Sequence, residues 1–240
     1  MQVRIGTSGW SYKHWLGRFY PRKIAPSEML KWYAQYFDTV EINASFYRWP
    51  SPTAFEQWRH STPAGFCFAV KASRYLTHRK KLKDPEQPLE TTFTSVEELG
   101  PKFGPILFQL PPRWRVNVER LKTFLALLPR SRKCAIEFRD ISWHSPEVLR
   151  LLRMRNVAFC IYDLTGFTSP VHLTADFAYV RFHGPGKAYQ GRYSARTIDR
   201  WARQIENWRG SVDKAFVYFN NDTEGNAIVN AEQLKARLEL

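Results

Sequence analysis

The sequence predicts a TIM-type (β/α)8 barrel, an α/β fold in which eight parallel strands alternate with helices, here as one domain over residues 1–240. Five segments alternate apolar residues with polar ones that become more reactive toward the C-terminal end: residues 39–45, 66–73, 134–140, 177–184 and 215–222. Because strand side chains alternate between faces, one face of each segment packs on apolar groups and the other surrounds something polar. A length of 240 residues is the usual size of one such barrel.

The first half of the chain supplies four strand and helix units. Its predicted strands lie at residues 3–7, 39–45, 66–72 and 105–110. Its predicted helices lie at residues 27–37, 53–61, 93–99 and 118–128. Ser27 and Glu28 resemble an N-cap and a first-turn acid, and Pro111 and Pro112 close the fourth strand because proline cannot continue a ladder.

The second half supplies four more strands. They are predicted at residues 134–139, 157–163, 177–183 and 215–220. Helices are predicted at residues 146–155, 195–208 and 227–238, whereas residues 164–175 show no clear helical pattern. Strands separated by helical patterns indicate a parallel sheet, and eight of them in a chain of 240 residues predict closure into a barrel.

Composition limits the classes of protein to which the chain can belong. No segment approaches the roughly 18 uninterrupted apolar residues of a membrane span, and the N-terminal residues lack the apolar core of a signal peptide. We therefore expect a cytoplasmic protein without a membrane partner. Cys67, Cys134 and Cys160 fall inside predicted strands without the paired spacing of disulfides or zinc knuckles, so we expect buried, reduced thiols.

The charge is strongly positive. Thirty-six Lys and Arg residues against 22 Asp and Glu give a net charge of +14, which favours polyanionic partners such as nucleic acid. Six cationic or histidine side chains lie in residues 74–83, the loop after the third strand. Solubility alone would also account for the net charge, and a charged loop is commonly just a solvated face.

Carboxylates occupy the C-terminal ends of several strands, where barrels of this type keep their active sites. Glu41 and Glu137 are candidates for a general acid and base, and His183 with Asp163 for a pair that activates water. The alternative is structural, with the glutamates forming a ring of ion pairs with Lys71, Arg139 and Arg181.

Phosphate recognition is the second hypothesis for these strand ends. Lys71, Arg139 and Arg181 are candidate anion clamps, because arginine forks match phosphate oxygens. A glycine-rich loop at residues 184–192, which contains Lys187, follows the seventh strand, where such barrels often hold phosphate. The loop lacks the spacing of a Walker motif and could equally be a mobile turn.

The candidate ligand-binding residues combine these clamps with polar and aromatic side chains near the mouth. They are Trp10, Asn43, Tyr47, Lys71, Gln109, Arg139, Trp143, Arg181, Lys187, Asn220 and Asn221. A divalent metal could use Glu41, Glu137, Asp163 and His183. Only one of the six histidines ends a strand, however, and the neighbouring arginines would repel a cation, so the sequence assigns no metal.

Six motifs resemble the YecE-like family, known as domain of unknown function 72. In chain order they read GTSGWSYKHW, VEINASFYRWP, ILFQLPP, AIEFRDISW, YVRFHG and VYFNNDTEGNAIVNA. The resemblance spans nearly the whole chain and implies a TIM-type barrel. It implies no settled enzymatic activity.

The leading functional prediction is a mouth that binds a phosphate-bearing substrate, nucleic acid or a nucleotide, with hydrolytic chemistry. One alternative is a nucleic-acid binder without catalysis, in which the carboxylates only hold the clamps in place. Another is a carbohydrate hydrolase that uses paired carboxylates and stacking aromatic rings. The oligomeric state stays open.

Overall fold

A computed structural model describes residues 1–240 and shows one continuous sheet of nine strands. The strands are β1 Gln2–Thr7, β2 Thr39–Ile42, β3 Cys67–Lys71, β4 Phe103–Gln109, β5 Cys134–Glu137, β6 Val157–Leu164, β7 Phe167–Thr168, β8 Phe177–Phe182 and β9 Lys214–Phe219. They follow the order β1-β9-β8-β6-β5-β4-β3-β2, all parallel, and β7 pairs antiparallel with the end of β6. Eight parallel strands in a nearly closed barrel confirm the predicted fold class.

Helices surround this barrel. They are α1 Met29–Tyr33, α2 Ala44–Tyr47, α3 Pro52–His60, α4 Glu86–Val96, α5 Val118–Leu127, α6 Pro146–Met154, α7 Ala195–Glu206 and α8 Asn226–Arg237. Ser51, Ser145 and Ser194 cap α3, α6 and α7, each accepting a backbone hydrogen bond from the residue three positions on. None of the helices is both long and apolar enough to cross a bilayer.

The barrel closes between β1 and β2 without a regular ladder. A single bridge joins Ser8 to Glu41, and below it the hydroxyl of Tyr33 enters the gap. This hydroxyl accepts a hydrogen bond from the backbone N–H of Thr7 at 2.9 Å and donates to the carbonyl oxygen of Thr39 at 3.1 Å. A side-chain hydroxyl therefore replaces the missing strand-to-strand bonds at the seam.

The barrel interior changes from apolar to polar along its axis. Its lower part is filled by small and aromatic side chains, among them Ala69, Ala135, Phe177 and Phe216. The outward face of the strands packs on the helices in a separate, larger core. The polar strand ends predicted from the alternation therefore meet above this apolar layer, at the C-terminal end of the barrel.

Several predicted boundaries need correction. The second strand ends at Ile42 rather than residue 45, because residues 44–47 form α2, and the helix expected at 93–99 begins earlier, at Glu86. Residues 164–175 contain no helix. Instead β7 folds back on β6, and the hydroxyl of Thr174 accepts a hydrogen bond from the backbone N–H of Phe159 at 2.7 Å.

Candidate functional site

A cavity of about 660 Å³ opens at the C-terminal mouth of the barrel. Three cations line it, Lys71, Arg74 and Arg139, and no aspartate or glutamate does. Aromatic rings form much of the remaining wall: Phe46, Tyr47, Tyr162, Phe167 and Tyr189. Because these side chains follow the ends of β3, β5 and β6 and enter from adjoining loops, the parallel sheet itself brings them together.

Arg181 lies beneath the cavity, where it donates a hydrogen bond to the cavity-lining residue Gln109. One of its terminal nitrogens, Nη1, donates to Oε2 of Glu137 at 2.7 Å, and Nη2 donates to Oε1 of Glu41 at 2.7 Å. All three side chains are fully buried. One guanidinium thus bonds both carboxylates that the sequence suggested as acid and base. Because Arg181 is fully buried and does not border the cavity, it cannot contact a ligand bound there, contrary to its predicted role as an anion clamp.

The carboxylates are also held by other donors. The hydroxyls of Ser8 and Tyr179 donate to Glu41, and Arg139 donates from Nε to Glu137. Burial alone would raise the pKa of Glu137, but Arg139 and Arg181 outweigh it and hold this pKa well below its ordinary value. Glu137 is therefore an ionised partner of arginines and a poor proton acceptor.

His183 is equally enclosed. Its Nε2 accepts hydrogen bonds from Nη2 of Arg139 at 2.9 Å and Nη1 of Arg181 at 3.3 Å, since arginine can only donate. The other ring nitrogen, Nδ1, lies 3.1 Å from the side-chain amide nitrogen of Asn220. Burial, followed by the charge of Arg181, lowers the pKa of His183 to about 3, so the ring is neutral.

Asp163 does not join His183, which corrects the predicted water-activating pair. On β6 the outward face carries Phe159, Ile161 and then Asp163, whereas Tyr162 points into the cavity. The carboxylate of Asp163 accepts hydrogen bonds from the hydroxyls of Tyr193 and Thr168, both at 2.7 Å. It fastens the β7 turn and the segment before α7 rather than facing the mouth.

Lys71 is the least compensated charge at the site. Its side chain is almost fully buried, and Nζ lies 3.9 Å from the centre of the Phe46 ring. The ammonium group makes no hydrogen bond or salt bridge. Burial, reinforced by Arg181, lowers its pKa to about 7.

Arg139 and Gln109 connect the buried groups around Arg181 to the cavity. Arg139 bonds both Glu137 and His183 and still borders the cavity, where its guanidinium lies 4.9 Å from the centre of the Tyr162 ring. The Gln109 oxygen accepts a hydrogen bond from Nη1 of Arg181 at 3.4 Å. Lys71, Gln109 and Arg139 are therefore the predicted polar residues that border the cavity directly.

The other predicted ligand contacts are distributed more widely. Trp10 and Asn43 line a second cavity of about 430 Å³, and Tyr47 borders both cavities. The side-chain oxygen of Asn43 is buried without a hydrogen-bond donor. These residues therefore extend the mouth to one side.

Trp143, Asn221 and Lys187 lie outside the cavity, contrary to the expectation that they line it. Trp143 is fully buried and donates from Nε1 to the carbonyl oxygen of Trp114 at 2.6 Å. Asn221 is buried on the side of the barrel wall that faces the helices, and its amide donates to the carbonyl oxygen of Gly191 at 2.8 Å. Lys187 is exposed, and its loop contributes Tyr189 to the cavity wall instead.

Sequence reasoning missed individual residues that the structure places at the cavity: Arg74, His78, His144, Tyr162 and Tyr189. Arg74 and His78 belong to the basic loop that the sequence identified as a whole. Tyr162 could have been predicted from the sequence, because the alternating apolar residues Phe159 and Ile161 indicate which face of β6 points outward. Nowhere do three His, Cys, Asp or Glu side chains converge in an arrangement that could hold a metal ion.

Known proteins of similar sequence match the chain along almost its whole length. YunF of Bacillus subtilis strain 168 is 27% identical over 99% of the chain and 95% of its own length. YecE of Escherichia coli K12 is 27% identical over 86% of the chain and 82% of its own length. Both are described as UPF0759 proteins.

Solved structures show the same barrel. A DUF72 family protein from Thermotoga maritima superposes with a TM-score of 0.90 at 31% identity and covers 100% of both chains. A second one, from Enterococcus faecalis V583, gives a TM-score of 0.86 at 20% identity and covers 100% of this chain and 96% of its own. The sequence model described as "Protein of unknown function DUF72" matches residues 4–240, and the chain therefore belongs to this family, as its motifs predicted.

Proposed function

We propose that the mouth cavity binds a phosphate-bearing ligand, either a nucleotide or a segment of single-stranded nucleic acid. The observation that carries this proposal is the composition of the cavity wall, with three cations, several aromatic rings and no carboxylate. Charge and aromatic stacking are the two means by which proteins bind single-stranded nucleic acid without reading its sequence.

The charge balance of the site favours an anion. Beneath the cavity, the two carboxylates Glu41 and Glu137 offset the two guanidinium groups of Arg139 and Arg181. Lys71 and Arg74 have no salt-bridge partner. An anionic ligand would supply the missing negative charge, and Arg139 and Arg74 could offer it donor forks at the wall.

The aromatic wall favours a base beside the phosphate. Tyr47 is 75% exposed, and Phe167 and Tyr189 are each 43% exposed, so the faces of these rings are available to a ligand. Tyr47 also separates the mouth from the second cavity, which contains Trp10 and Trp58. A strand leaving the mouth could therefore place its next base on this second aromatic surface.

Hydrolysis by paired carboxylates has less support than binding. Both glutamates are fully buried, and Arg181 occupies an oxygen of each. A glycosidase or nuclease that used them as acid and base would need one free to exchange a proton with its substrate. Among the predicted alternatives, the geometry thus favours the binder whose carboxylates hold the clamps in place.

The proposal is tested by titrating AMP and a short 5′-phosphorylated oligothymidylate into the protein. Arg74→Ala should weaken both by about tenfold, the scale of one charge-assisted hydrogen bond. Arg115→Ala is the matched control, because Arg115 is also an exposed arginine on a loop after a barrel strand but lies outside the cavity. Equal affinities for the wild-type protein and both variants would contradict the proposal.

A further inference from the structure

Lys71 has the environment of a reactive amine rather than that of a charge clamp. It ends β3 inside the barrel, is 5% exposed and borders the cavity, so its one accessible surface faces the space a ligand would occupy. The other strongly buried lysine, Lys102, is different, because its Nζ donates to the carbonyl oxygens of Arg59 and Thr62. Nothing in the structure holds the Lys71 ammonium group in its charged form by a direct bond.

Among the surrounding charges, Arg181 and Arg139 add to the effect of burial and lower the pKa of Lys71, whereas Glu41 and Glu137 oppose it. These two carboxylates are already bonded to the two arginines. His78, in the loop after β3, is also neutral, because burial lowers its pKa to about 4. An uncharged amine is therefore accessible near neutral pH, and only an uncharged amine has the lone pair required of a nucleophile.

We propose that Lys71 condenses with the carbonyl carbon of a phosphorylated aldehyde or ketone bound in the mouth cavity, forming an imine. This inference rests on the proposed recognition of phosphate at the same site, and it adds carbonyl compounds to the phosphate-bearing ligands that the cavity accepts. The phosphate would face Arg74 and Arg139 at the wall, and the carbonyl would face Nζ of Lys71 on the inner side.

The condensation balances without any further reactant. The lone pair of Nζ attacks the carbonyl carbon, and the C=O π electrons move to oxygen, which takes up a proton to give a carbinolamine. The nitrogen then expels this oxygen as water after a second protonation, and the N–H proton lost in between leaves a net uptake of one proton. The products are a protonated C=N⁺ linkage and one molecule of water.

The protonated imine explains why the partner should be anionic. It places a positive charge at Nζ, although burial disfavours such a charge there. Both neighbouring carboxylates are already paired with Arg181, so neither is free to compensate the new charge. A phosphate on the same ligand brings its own negative charge into the cavity. A neutral carbonyl compound would not, so we expect the phosphorylated compound to react more.

The experiment is reductive trapping with borohydride, which converts the imine to a stable secondary amine that peptide mass spectrometry can locate. The probes are glyceraldehyde 3-phosphate and unphosphorylated glyceraldehyde at equal concentration and pH 7. We expect the phosphorylated probe to label Lys71 at least about tenfold more than any exposed lysine, because an ordinary lysine is almost wholly protonated at this pH. Excess inorganic phosphate should reduce the labelling of Lys71.

Lys71→Met should lose this adduct and keep the background labelling of surface lysines, with folding checked by circular dichroism. Since all lysines are mapped in the wild-type protein, the result does not depend on that variant folding. Labelling spread over surface lysines with Lys71 unmodified would overturn the imine, even if AMP titration still shows binding. Labelling of Lys71 that is equal for both probes would support the amine chemistry but contradict phosphate recognition.

Discussion

Lys71 and Arg181 are both buried basic side chains of the same site, but they differ in their ion-pair partners. Arg181 is neutralised by two carboxylates, whereas Lys71 has no partner and its pKa falls from 10.5 to about 7. A buried group with a lowered pKa is a cost to folding that a protein can keep for the sake of function. The two residues therefore lead to opposite predictions for stability.

Removing the Lys71 amine should stabilise the fold. Between pH 7 and 10.5 the unfolded chain binds more protons at this lysine than the folded protein, so its contribution to stability rises with pH across that window. Lys71→Met should raise the free energy of unfolding by roughly 2–4 kcal/mol at pH 7, and the gain should shrink toward pH 10. Urea unfolding at both pH values measures it, and a loss of stability at pH 7 would contradict it.

Lys102→Met is the matched control for this measurement. Lys102 is also buried, but its three hydrogen bonds satisfy backbone and hydroxyl oxygens that the substitution would leave without a donor. We expect a loss of about 1–3 kcal/mol, the cost of unsatisfied buried acceptors.

Removing Arg181 should have the opposite effect, because it leaves two buried carboxylates with fewer donors. Arg181→Met should cost about 3–5 kcal/mol at pH 7. In the wild-type protein the lowered pKa of Glu137 gives a stabilisation that is present above the ordinary glutamate pKa and lost as the pH falls through the lower folded value. In the Arg181→Met variant, burial would raise the pKa of the glutamates that lose their partner, so they would take up protons as the pH falls. The difference in unfolding free energy between the wild-type protein and the variant should therefore be smaller at pH 5 than at pH 7.

A difference in unfolding free energy that stayed constant from pH 7 to pH 5 would show that lost packing, not charge, dominates at Arg181.

The residue scale is also where sequence reasoning was least complete. Alternation placed Glu41, Glu137 and Arg181 on inward faces, but it could not show that one guanidinium bonds both carboxylates, since β2, β5 and β8 are distant in the chain. The prediction that Asp163 faces the mouth was wrong by one residue, because on β6 the neighbouring Tyr162 faces the cavity.

At the scale of the elements, the seam between β1 and β2 is the least regular part of the barrel. Gly6 allows the close approach there, because a Cβ atom at this position would lie 2.2 Å from the carbonyl oxygen of Thr39. Tyr33 at the end of α1 then supplies the bonds that a ladder would make. The seam thus depends on one glycine and one hydroxyl.

Tyr33→Phe should weaken this seam while leaving the packing of the ring intact. The backbone N–H of Thr7 would lose its acceptor in a fully buried place, at a cost of about 1–3 kcal/mol. Tyr36→Phe is the control, because Tyr36 is 43% exposed and we expect a change within about 0.5 kcal/mol. Urea unfolding of both variants measures the difference, and equal stabilities would mean that water replaces the hydroxyl at the seam.

The elements themselves were largely predictable. Period-two alternation located five of the eight barrel strands, since each has one face on the helices and the other in the barrel, and the succession of strand and helix patterns located the other three. The exceptions are short-range and local, such as α2, where a helix of four residues directly follows β2. The seam was not predictable, because Tyr33 lies in a helix and meets Thr7 only through the closure of the barrel.

For the molecule as a whole, both ends of the barrel are basic, but most cations at the N-terminal end are paired with acids. At the N-terminal end Arg4 pairs with Asp38 and Lys133 with Asp176, each at 2.9 Å. At the mouth Arg74 and Lys71 have no such partners. The net charge of +14, read from composition alone, could not distinguish these two ends.

The salt dependence of nucleic-acid binding should therefore depend on the mouth. Each phosphate contact with a single strand contributes about −0.7 to the slope of log affinity against log salt. Arg74→Ala should make the slope less steep by about this amount, because one phosphate contact is lost. Lys214→Ala should leave it unchanged, since Lys214 is exposed at the start of β9, at the N-terminal end. Binding of oligothymidylate measured between low and physiological salt decides the matter, and an equal effect of the two substitutions would mean that the strand binds to the positive surface as a whole rather than to the mouth of the barrel.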